Sequence, residues 1–200
     1  MDIDTLETVE QAKEKSAGSL RRLNACVAIS VALLATFLAI CKVKDDNIVQ
    51  AMQQAQADKV DLWGYYQARN IRQEILEGLV LQLEVQRLSA PPAHAEKLDE
   101  LIALEREAAQ EQARKKAELK TQAEAADQRY IDLNFHDDQF DLSDALLAIA
   151  IAMLAVTALT DLWWMFWISL LPSTFGVIMG VAGLIGSKAI YPAALIKLLA

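Results

Sequence analysis

Apolar and polar residues separate along this chain into long blocks. Residues 23–41 are nineteen positions without a charge, and residues 145–160 and 162–185 form a second apolar block interrupted at Asp161. A helix that crosses a bilayer needs about 20 predominantly apolar residues, so three membrane passes are predicted. Between them, residues 42–144 are charged, rich in Gln, Ala and Glu, and nearly free of breakers.

The polar stretch has a period of its own. Steps of four and three from Ile48 reach Met52, Ala55, Lys59, Leu62, Tyr66, Arg69, Gln73, Leu76, Val80, Leu83 and Arg87. A second register runs from Leu98 through Ile102, Glu105, Ala109, Gln112, Lys116, Leu119, Ala123, Ala126 and Tyr130 to Leu133. Mostly apolar positions at this spacing are the signature of helices with a coiled-coil seam. Pro91-Pro92 separates the two registers, because proline cannot continue a helix and restricts the residue before it. At 1.5 Å per residue the helices are roughly 68 Å and about 62 Å long. Near-equal helices around one breaker predict an antiparallel hairpin.

The expected organisation is therefore all-α. It has a polar tail at 1–22, a first pass at 23–41, a soluble hairpin at 42–144 with its tip at 90–93, two passes at 145–187, and a short interfacial tail at 188–200. Ala17-Gly18-Ser19 is expected to interrupt any helix in the first tail. The acids after Asn134 are expected to end the hairpin, with Asp141 or Ser143 capping the next helix. Residues 23–41 read as a retained anchor, because they follow an acidic tail and end in Cys41-Lys42-Val43-Lys44 without a small-residue cleavage site.

A two-helix hairpin cannot bury every apolar side chain it carries. Trp63, Ile71, Ile75, Leu79 and Val85 lie off the seam, and a contiguous apolar face usually marks an interface. Trp63, Ile71, Ile75 and Leu79 are thus the expected oligomer contacts. Small residues recur in the passes: Ala28, Ala32 and Ala35 in the first, Ala148, Ala152 and Ala155 in the second, Gly176, Gly180 and Gly183 in the third. Lipid gives no hydrophobic drive between helices, so small residues that allow close backbone approach are the expected packing positions. Trp163, Trp164 and Trp167 suit a headgroup belt.

Charge and candidate chemistry narrow the functions. A net charge of −8 argues against a nucleic-acid partner, which needs clustered Lys and Arg. Cys26 and Cys41 are too far apart on one helix to bridge. His136 lies in Phe135-His136-Asp137-Asp138-Gln139-Phe140-Asp141, which has no calcium-loop spacing and reads as a solvated acidic run. Gly183-Leu184-Ile185-Gly186-Ser187-Lys188 lacks the order of a phosphate loop. No catalytic residue, cofactor or metal is expected, and the reading is not an enzyme. The passes lack ionisable cores, which counts against a channel or transporter.

The segment from Asp61 through Trp63, Tyr65, Tyr66, Arg69 and Arg72 to Gln73, preceded by 41–52, resembles an uncharacterised bacterial membrane family, domain-of-unknown-function family 4337. The likeness extends from about Arg22 onward. It implies one pass, a helical region and two passes, and no activity.

These observations point to a membrane-anchored, self-associating scaffold. Its expected partners are membrane lipid, further copies, or other subunits, and an accessory subunit of a larger membrane complex is the alternative. The expected location is a bacterial inner membrane. Lys13, Lys15, Arg21 and Arg22 outweigh Lys42 and Lys44, which favours a cytoplasmic N-terminus and a periplasmic hairpin.

Overall fold

The computed structural model describes the backbone of residues 3–190 and the side chains of residues 17–190; of the tail expected at 188–200, residues 191–200 lie outside the described residues. The elements are α1 (Ile3–Ser89), α2 (Pro92–Thr160) and α3 (Trp163–Leu184), with no strand among the described residues. The fold is all-α. Each helix contains a stretch long and apolar enough to cross a membrane.

Two expected interruptions are corrected. Gly18 lies inside α1, and Asn134 through Asp141 lie inside α2. A helical glycine costs about 1 kcal/mol relative to alanine, which a long helix can carry because propagation is far easier than nucleation. In α2, the 3–4 spacing of Gln139, Phe140, Ser143, Leu147, Ala150, Leu154 and Thr157 buries one continuous face across the acidic run. Asp141 and Ser143 therefore sit mid-helix and cap nothing.

The turns follow local chemistry. α1 stops at Ser89, and Pro92 opens α2, where its missing N–H has no helical partner to lose. Between α2 and α3, Asp161 adopts φ 56°, a left-handed conformation that aspartate tolerates better than most side chains. After α3, Gly186 at φ 66° lets Gly186 and Ser187 donate to the carbonyls of Gly183 and Ala182, at 3.2 and 2.9 Å. This is the Schellman ending that glycine favours.

Two compact units result. One combines the chain up to Gln50 with that from Leu133; the other is Ala51–Asp132. The hairpin unit is shorter than the expected 42–144, because Asp45, Gln139, Phe140 and Ser143 are buried within the first unit.

In the first unit, Leu23, Val27, Leu154 and Phe166 form a core cluster, flanked by Cys26, Val31, Leu34, Trp163 and Leu170. The glycines of α3 admit the other helices. A Cβ on Gly176, Gly180 or Gly183 would come within 2.9 Å of Leu147, 2.7 Å of Phe37 or 2.8 Å of Phe140. Both alanine rows behave differently. Ala28, Ala32 and Ala35 face outward, as do Ala148, Ala152 and Ala155. Leu147, Phe37 and Phe140 instead pack against the backbone of the α3 glycines.

The second unit has a thinner core. Ala55, Val80, Ile102, Ala109 and Ala123 are its buried apolar residues. Polar seam residues pair across the two helices instead. Lys59 meets Asp127 at 2.6 Å, Lys116 donates to Asn70 at 2.9 Å, Arg69 donates to Gln112 at 2.9 Å, and Arg87 grips Asp99 at 2.8 and 3.1 Å. Arg106 pairs with Glu84. As residue numbers rise on α1 they fall on α2, so the two segments run antiparallel.

Candidate functional site

The first unit gathers polar side chains just beyond the apolar stretches of α1 and α2. Asp45 continues the inward row of α1, four residues after the buried Cys41 and three before Ile48, and is only 4% exposed. Lys42, one turn earlier, donates to its Oδ2 at 2.9 Å. The other oxygen, Oδ1, is enclosed without a hydrogen-bonding partner. From α2, the carboxyl of Asp137 lies within hydrogen-bonding reach of Asp45, and Asp138, Asp141 and Asp144 add negative charge nearby.

This environment shifts the ionisable groups. Burial, then the charges of Asp141 and Asp45, then the contact with Asp45 itself push Asp137 up to about 6. Asp141 moves in the same direction, through desolvation and then the Asp45 charge. Lys42 is raised by its hydrogen bond and charge pairing with Asp45. A cavity of about 10 Å³ adjoins the pair, lined by Leu38, Cys41, Lys42, Asp45, Phe140 and Asp144. It has room for about one water. The acids do not converge as ligands: among the described residues, no group of three or more His, Cys, Asp or Glu is arranged to hold a metal ion.

Beside this cluster, Gln139 locks the end of the unit. It is fully buried and donates through Nε2 to the carbonyls of Ser187 and Ile190, at 2.9 and 2.8 Å. Its Oε1 meets His136 Nδ1 at 3.0 Å. Ser143, also fully buried, donates to the carbonyl of Gly176 at 2.8 Å. Sequence reasoning missed Asp45, Gln139 and Ser143, because it read their neighbourhoods as solvated charge. The usable signal was their place in the 3–4 spacing of apolar residues.

The hairpin unit offers a surface of another kind. Ile71, Ile75 and Val85 are 56%, 64% and 68% exposed on α1, with Leu79 beside them. Trp63 is half-buried, edge-on to Tyr66 at a centroid distance of 5.3 Å. Of the four expected contacts, Ile71, Ile75 and Leu79 are thus uncovered within the protomer, while Trp63 is partly engaged. A groove of about 360 Å³ runs along the seam, lined among others by Gln73, Val80, Arg106 and Ala109. On α2, Arg114 and Lys115 hold the Glu111 carboxyl at about 2.

A family model described as Domain of unknown function (DUF4337) matches residues 23–186. No curated protein and no solved structure matches the chain.

Proposed function

From the premise that this chain belongs to the DUF4337 family, whose description assigns no activity, we propose that it is a membrane-anchored helical scaffold that self-associates through its hairpin. One observation carries this reading: the row of Ile71, Ile75 and Leu79, spaced by fours, stands uncovered on a helix whose polar residues pair across the seam. In lipid, exposed apolar side chains need no cover. In water, a contiguous row of them favours an interface. A further copy presents the same row, and a two-fold contact makes a single patch self-complementary.

The scaffold belongs in this reading to a bacterial inner membrane, crossing it three times without enzymatic activity. Its N-terminus is cytoplasmic and its hairpin periplasmic, on the balance of Lys13, Lys15, Arg21 and Arg22 against Lys42 and Lys44. A Ser89→Cys variant lacking Cys26 and Cys41 tests the orientation. A membrane-impermeant maleimide should label it in cells with a permeabilised outer membrane. Labelling only after lysis would reverse the topology.

Self-association is tested by the mass of the wild-type protein in mild detergent. A homo-oligomer is expected. A monomer would overturn the proposal, and stoichiometric foreign subunits would replace it with an accessory role in a larger complex.

A further inference from the structure

We infer that Asp45 and Asp137 form a proton-bridged carboxyl pair that latches α1 to α2 within the first unit and loosens when the proton is lost. The acidic run alone would carry no such inference. What singles out this pair is Asp45, more than nine-tenths buried, with one oxygen held by Lys42 and the other enclosed without a donor. A buried acceptor left unpaired is costly, so native structures satisfy nearly all such atoms. The neighbour within reach is another carboxyl, Asp137. Two ionised carboxylates have no proton to share. Once Asp137 is protonated, its O–H donates to Asp45 and the orphan oxygen is satisfied.

The surrounding charges support that state. On α1 the charged neighbours are Lys42 and Asp46, with the Cys41 thiol one turn from Asp45. On α2 they are Asp138, Asp141 and Asp144, with His136 turned to Gln139. α3 has no ionisable side chain, and Lys188 follows it. Asp141 and Asp45 both push the Asp137 carboxyl toward its protonated form, and adding a proton relieves that repulsion. The cavity beside Asp45 admits about one water, so little solvent reaches its enclosed oxygen.

The direction with pH follows. Asp137 is lifted from 3.8 to about 6 in the folded chain. The folded state therefore keeps a proton that the unfolded chain releases. The contribution to stability is complete below the unfolded value and is lost as pH rises through the folded one. The reaction is a single proton transfer, from the Asp137 carboxyl to water, with no other bond changed.

The test uses the full chain in detergent. The melting temperature of the wild type should fall as the pH is raised from about 4 to about 7, steadily between the unfolded and folded values and levelling off above the latter. Asp137→Asn, whose neutral amide can donate to Asp45 at every pH, should flatten that fall, leaving only the smaller part that Asp141 contributes. Asp46→Asn should keep the wild-type profile. An Asp137→Asn profile with the wild-type slope would overturn the latch. Infrared spectra of the unmodified protein give an answer that needs no variant. A protonated-carboxyl stretch should be present near the acid end and disappear over the same interval, and its absence in acid would overturn the pair.

Discussion

The two units solve the packing of long helices in opposite ways. In the first, shape does the joining: backbone at Gly176, Gly180 and Gly183 receives Leu147, Phe37 and Phe140, and buried hydroxyls and an amide find carbonyl partners. In the hairpin, small residues such as Ala109 and Ala123 fill the seam and charged pairs bridge its sides. In the proposed membrane placement, the difference reflects solvent. Helices in lipid gain little from burying apolar area and depend on close contact. A hairpin in water depends on burying apolar area, and this one leaves much of its own uncovered. The hairpin unit keeps an apolar face uncovered at Ile71 and Ile75.

One substitution in each unit would test this contrast. Gly180→Leu places a side chain where a Cβ already meets the Phe37 ring at 2.7 Å and Ser143 Oγ at 2.8 Å. Overpacking of this kind costs about 1–3 kcal/mol and occasionally more, so a clear loss of melting temperature in detergent is expected. Lys59→Met, which removes the 2.6 Å bridge to Asp127, should change stability by less than about 1 kcal/mol, as for other solvent-exposed pairs. Equal losses at the two sites would mean that the hairpin is as tightly specified as the bundle.

Much of this architecture was legible in the chain. Block hydropathy located the three apolar stretches, and two 3–4 registers around Pro91-Pro92 located the hairpin and its turn. Ala55, Val80, Ile102, Ala109 and Ala123, all seam positions by spacing, are the buried ones. Helix direction within the bundle was harder to read. Alanine rows and glycine rows carry the same small-residue signal, but only burial distinguishes them, and Ala28 and Ala148 face out while Gly176 faces in. The acidic run misled for a related reason. Composition marks Asp137 through Asp141 as a loop, yet Gln139, Phe140, Leu142 and Ser143 are held by contacts with residues far along the chain. Asp45 was read only as part of the charged stretch 42–144, although its spacing from Cys41 and Ile48 already put it on the inner face of α1.

The central claim, that the uncovered hairpin row holds copies together, is tested most directly by changing Ile71 and Ile75 together to Glu. Both side chains point away from the seam, so helicity by circular dichroism should be retained. An interface built on them would have to desolvate two new carboxylates without partners, a penalty of several kcal/mol at a fully buried site. The mass of wild type and double variant, measured in the same detergent, gives the result. An oligomeric wild type and a dissociated, fully helical variant are expected; a variant that assembles to the wild-type mass would contradict the claim.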